Sequence, residues 1–184
     1  MRILILIVIF VTSAAQAEPV AYLLDKARST VQFTYQFGGN EMTGRMPVKS
    51  AEMLLDLDNL PASHIAVTLD PSHAQAGFVL ATQAMKSASG LNTDAFPEIV
   101  FISTSITGDL KGALVTGDLT VRGVTLPVTL KAGLYRQVGT EMGDRSNLAI
   151  LLTGDISRSA YGADGYLAYV GDTVHLRIIA LISK

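Results

Sequence analysis

His64, His73 and His175 are the residues best suited to hold a metal or move a proton in this 184-residue chain. Their separations match no compact helical or loop metal motif, so all three are read as non-catalytic. His175 alternates with Val174 and Leu176 and should face away from the surface those two bury. Serines are frequent, yet none sits in a Gly-x-Ser-x-Gly elbow and no Ser/His/Asp set emerges. There is no Cys, which removes thiol nucleophiles, thiolate metal sites and disulfides together. The glycines stand at strand ends rather than before a helix, so no phosphate-binding loop is formed. The most suggestive polar residue is Arg158, in a strand otherwise apolar on one face. Its guanidinium could fork to a carboxylate, with Asp25 and Asp118 as candidates, or to a ligand headgroup. Arg28 offers the same chemistry, and Arg122 beside Gly123 reads as an exposed turn residue. No catalytic residue is assigned, and the chain is not expected to be an enzyme.

Charge is sparse and balanced, with 14 Lys+Arg against 16 Asp+Glu. Charged residues make up 16% of the chain, below the usual ~25%. No window clusters Lys and Arg densely enough to release counterions from a phosphate backbone, so nucleic acid is not an expected partner. Against this stand a hydrophobic fraction of 49% and a mean hydropathy of +0.38. Such a surplus of apolar side chains must line something.

The first residues set the compartment. Arg2 precedes an unbroken apolar run, Ile3 to Val11, followed by Thr12-Ser13-Ala14-Ala15-Gln16-Ala17. A basic start, a short apolar stretch and an Ala-x-Ala triplet form a secretory signal peptide over 1–17, cleaved after Ala17. The apolar run is far short of the ~20 residues that span a bilayer, so no anchor should remain after cleavage. The rest, 18–184, is one domain, a length that can bury ~70% of its unfolded surface around a single core.

The elements that must position any site follow a period of two. Val31, Phe33, Tyr35 and Phe37 alternate with Thr30, Gln32, Thr34 and Gln36, the pattern of an antiparallel strand with one wet face. The alternation recurs at Met53, Leu55 and Leu57, at Ile65, Val67 and Leu69, at Leu148, Ile150 and Leu152, and at Val174, Leu176 and Ile178. Between these runs lie Gly38-Gly39-Asn40, Asp58 to Pro61, Thr107-Gly108-Asp109, Lys111-Gly112 and Gly139 to Asp144, all of turn chemistry. One segment differs: Phe78, Ala81, Met85 and Ala88 fall three and four apart, predicting a helix over about 74–89 with Gly90 as its stop. Many short strands with one inserted helix fit a barrel or a sandwich.

Four stretches in order resemble the YceI-like family, periplasmic lipocalin-like proteins associated with polyisoprenoid binding. They are Asp25 to Phe33, with Arg28 where the family's His is usual; Phe96-Pro97-Glu98-Ile99-Val100-Phe101-Ile102-Ser103; the hairpin Gly117 to Val128; and Ile156-Ser157-Arg158-Ser159-Ala160-Tyr161-Gly162, followed by Gly171-Asp172-Thr173-Val174. Together they span nearly all of 18–184. The resemblance implies an all-β, eight-stranded antiparallel lipocalin-like barrel in the periplasm, holding an extended isoprenoid lipid or quinone as ligand. It implies no other cofactor. Pro71 to Asn92 departs most from the family pattern.

The residues assigned to ligand lining are Val31, Phe33, Tyr35, Phe37, Phe78, Met85, Phe101, Ile150, Leu152 and Leu176, with Arg158 as the polar candidate. For each one alone, plain core packing is the competing assignment. As a set, their aromatic and Met content suits a slender, flexible tail. The expected function is a periplasmic carrier or sequestering protein for a long apolar molecule. Two alternatives stay open: a structural or stress-response module that binds protein through a solid barrel, and a lipid-modifying enzyme in which Arg158, Asp25 and a His or Tyr converge. An exposed edge strand could also pair two copies into a homodimer.

Overall fold

The computed structural model describes residues 18–184, so the leader assigned to 1–17 lies outside the described residues. In chain order the strands are β1 (Val20–Leu24), β2 (Thr30–Phe37), β3 (Asn40–Arg45), β4 (Val48–Leu55) and β5 (His64–Leu69). The helix α1 (Val79–Lys86) precedes β6 (Ile99–Gly108), β7 (Ala113–Val121), β8 (Val124–Arg136), β9 (Asn147–Ser157) and β10 (Val170–Ser183).

Every pairing is antiparallel and follows the order β1-β4-β5-β6-β7-β8-β9-β10, and β10 pairs back onto β1 through Leu24↔Ile182. That return closes an eight-stranded barrel. β2 and β3 add no further staves to it, because β10 is long enough to pair with β1 at one end and β2 at the other. β1 and β2 are therefore one stave, broken where the Asp25 carboxylate accepts from the backbone N–H of Ala27 and Arg28. β3 and β4 form the next, interrupted at Met46-Pro47. Closure pairs the edges an open sheet would leave raw.

The turn chemistry read from sequence sits where hairpins need it. Arg122 and Gly123 both have positive φ, 52° and 75°, as a two-residue type I′ turn between paired Val121 and Val124 demands. Arg122 is less free than an exposed turn residue, however. Its guanidinium donates to the carbonyls of Ala88 and Gly90 and straps the segment after α1 to the β7–β8 turn.

The helix is much shorter than the spacing predicts. Residues 74–77 are not helical: Gln75 pairs with Arg45 on the outer edge of β3, and Gly77 turns the chain at φ 87°. Backbone pairing at a strand edge outweighs the helical preference of Ala and Gln there. At the other end Ser87 caps α1, while Gly90 lies against the last turn, where a Cβ would come within 2.3 Å of the Met85 carbonyl oxygen.

Inward side chains gather in two clusters. Tyr22, Met53, Leu55, Ile65, Ile106, Val115, Leu148 and Ile182 form a packed floor. Ile99, Leu119, Val121 and Tyr161 form a smaller group toward the end where α1 and the 159–169 segment lie.

Candidate functional site

Between those clusters the barrel is hollow, enclosing a cavity of about 670 Å³. That exceeds fourfold the ~150 Å³ engineered apolar cavity that stays dry and takes up benzene, and it lies within the ~300–1,000 Å³ range of small-molecule sites. On β10 its wall runs from Val170 to Ala180. At ~3.3 Å per residue, with barrel strands tilted 35–45°, that is about 25 Å along the axis.

All ten apolar residues assigned to ligand lining from sequence lie on this one wall, as does Arg158. Two aromatic members owe their places to glycines on neighbouring strands. A Cβ on Gly44, opposite Phe33 on β3, would come within 2.1 Å of the Phe33 ring, and one on Gly117 within 2.5 Å of the Phe101 ring. Only a residue without a side chain lets these rings lie across the strand beside them. Phe37 meets Phe78 edge-on with centroids 5.5 Å apart, fixing the start of α1 against the end of β2. The Tyr35 hydroxyl donates to the Ala76 carbonyl at 2.8 Å and ties down the segment leading into the helix. Burial raises the Tyr35 phenol above its ordinary pKa, so it stays a protonated donor. α1 itself is a thin cover: none of its residues is buried, and Val79 and Leu80 are largely exposed.

Arg158 pairs with neither suggested carboxylate. Asp25 is held by Arg28 (Nε to Oδ2, 2.6 Å) at the β1–β2 break, and Asp118 is exposed on the outer face of β7. The guanidinium instead donates to backbone carbonyls: Nε to Gly171 at 2.9 Å, Nη1 to Ala163 at 2.5 Å and Gly165 at 2.8 Å, and Nη2 to Val170 at 2.9 Å. These bonds fasten the 159–169 segment to the barrel end. Burial lowers the Arg158 pKa, opposed by the charges of Asp172 and Asp164. The Asp172 carboxylate accepts from Ser157 Oγ at 2.6 Å and from the backbone N–H of Ser159 at 2.9 Å, and these bonds hold it below the usual carboxylate range.

Sequence reasoning passed over Tyr161, Val174 and Ile178, which also line the cavity. Tyr161 was visible as the aromatic of the fourth motif, three residues beyond Arg158, but it sits in a 3-10 turn outside the strand rhythm. The histidines take no part in the wall: His73 pairs with Asp70 and His175 with Asp155, both exposed. Among the described residues no group of three or more His, Asp or Glu could hold a metal ion.

The model of the YceI-like domain matches residues 22–180. The chain belongs to the YceI-like family. Protein YceI of Shigella flexneri is 33% identical over 128 residues, 68% of this chain and 67% of that protein. Protein YceI of Salmonella arizonae is 31% identical over 132 residues, 70% of this chain and 68% of that one. Among solved structures, Burkholderia cenocepacia BcnA superposes with a TM-score of 0.75 at 18% identity, covering 88% of this chain and 99% of BcnA. The Campylobacter jejuni YceI protein gives a TM-score of 0.62 at 18% identity, covering 77% and 84%. The YceI-like barrel is a binding-type fold, which agrees with a hollow interior where Arg158 and Tyr35 are occupied in holding the neighbouring segments.

Proposed function

We propose that this YceI-like protein is exported to the periplasm and holds the long apolar tail of an isoprenoid-type lipid or quinone inside its barrel, as a carrier or sequestering protein. The observation that carries the reading is the cavity itself: about 670 Å³, elongated, and walled by aliphatic and aromatic side chains. Each buried CH₂ contributes about 0.8 kcal/mol, so three isoprene units yield roughly 10 kcal/mol gross. Association and ordering costs of several kcal/mol reduce that sum, leaving useful affinity without any ion pair.

The hollow interior counts against a solid protein-binding module, since a barrel of that kind would be packed to crystal-like density. A lipid-modifying enzyme required Arg158 and Asp25 to converge, and Asp25 instead engages Arg28. A second copy pairing at an edge would have to use the outer side of β3 ahead of Arg45, whose own backbone is taken by Gln75; light scattering of the mature protein distinguishes a dimer from a monomer.

Extraction tests the main reading. The mature protein, purified from its own host without detergent, is extracted with organic solvent and the extract analysed by mass spectrometry. A long-chain lipid close to one per chain is expected. Protein that is reproducibly empty and does not take up polyprenyl compounds overturns the proposal.

A further inference from the structure

The cavity wall is apolar along most of its length, but two hydrogen-bonding groups are left over at the 3-10 turn Ser159–Tyr161. A guanidinium carries five N–H groups. The backbone bonds of Arg158 use its Nε–H, both Nη1 hydrogens and one on Nη2, leaving a single Nη2–H. One turn further on, Tyr161 is 3% exposed and lines the cavity. No hydrogen bond reaches its hydroxyl among the described residues. Among the described residues no fully buried side-chain nitrogen or oxygen lacks a partner, so this hydroxyl keeps some accessible surface and is open to a partner that the protein does not itself supply. Tyr35, the other buried phenol of the wall, is satisfied by Ala76. Burial keeps the Tyr161 phenol protonated well past neutral pH, so it remains a donor.

We propose that the unpaired hydroxyl of Tyr161, on the same cavity wall as Arg158 with its remaining N–H, is the polar anchor of the cavity and accepts a ligand whose apolar tail ends in a neutral carbonyl oxygen. This rests on the lipid-holding reading and adds the class of headgroup and its orientation. The head lies at the 159–169 end and the tail runs toward the floor at Tyr22 and Met53. A phosphate head fits poorly. A dianion calls for several charge-assisted donors, whereas Arg158 is engaged by four carbonyls and faced by Asp172 and Asp164.

The test uses three competitors of nearly equal chain length, heptadecane, 2-heptadecanone and hexadecyl phosphate, each displacing the fluorescent hydrocarbon diphenylhexatriene from the mature protein. The ketone should displace the dye at about fivefold lower concentration than the alkane, the factor one ordinary net hydrogen bond gives. In Tyr161→Phe, which preserves the ring and removes the hydroxyl, that ketone-to-alkane ratio should collapse to about one. The unfolding midpoint of the variant reports that it has folded. Equal displacement by ketone and alkane in the parent overturns the anchor, as does a ratio that survives in Tyr161→Phe or a phosphate that outcompetes the ketone. If neither the dye nor any competitor binds, the lipid-holding reading falls with it.

Discussion

Ile182 and Leu176 lie on β10 with their side chains on the same inner face, and alanine at either position removes three carbons. Their surroundings differ. Ile182 is 0% exposed and packed in the floor, whereas Leu176 is half-buried on the cavity wall. At about 0.8 kcal/mol per carbon the transfer loss at Ile182 is about 2.4 kcal/mol, and the new void brings the cost of Ile182→Ala to about 3–4 kcal/mol. Leu176→Ala forfeits about half that transfer and opens onto space already empty, so its cost should be about 1 kcal/mol. Urea unfolding of ligand-free protein, followed by far-ultraviolet circular dichroism, measures both. A bound lipid should then widen the effect of Leu176→Ala, since stabilisation by ligand scales with affinity. Equal losses of 3 kcal/mol or more at both positions would refute the reasoning, because they would mean that Leu176 is packed as tightly as the floor.

Gly44→Ala and Gly117→Ala should each destabilise by about 1–3 kcal/mol, the usual range for overpacking, and should lower dye affinity, because the added methyl must push Phe33 or Phe101 off its seat; unfolding curves and dye titration read the two effects. Replacing Arg158 by Met should cost about 3 kcal/mol or more by stripping the donor from four carbonyls. Lys should not rescue it, since an ammonium cannot reproduce the planar fork; calorimetric Tm values check both variants. Asp172 is held below the usual carboxylate range by Ser157, Asp25 by Arg28, Asp58 by Arg145 and Asp144 by Asn147. The folded chain thus binds fewer protons than the unfolded one near these groups' ordinary pKa of about 3.9. Stability from them should be fully present above that pH and lost as pH falls through the lower folded values, which urea midpoints between pH 3 and 6 measure. Loss of stability on raising the pH across that window would contradict the assignment.

What the sequence disclosed was periodic. Thr30 to Phe37 alternates, and β2 turns Val31, Phe33, Tyr35 and Phe37 onto the cavity wall; inside and outside are set by the pleat, which is a local property. The limits of α1 were less legible because residues 74–77 obey a distant partner, Arg45, and a glycine with positive φ, not their own helical preference. The partners of Arg158 were hidden for a related reason. It binds backbone carbonyls of residues 163–171, and a carbonyl carries no side-chain signature. Tyr161 escaped because its inward position comes from one 3-10 turn, too short for a period to declare itself. The cavity could be anticipated only through resemblance, since the same alternation would serve a filled barrel equally well.

Crystals of mature protein isolated from its host, without added lipid, offer the most direct view of the interior. Continuous elongated density should run from the turn at Tyr161 toward Ile182, with Phe33, Phe101 and Leu176 along its sides. A centre filled by inward-collapsed Phe33, Phe101 and Leu176, with no room for a chain, would contradict the account.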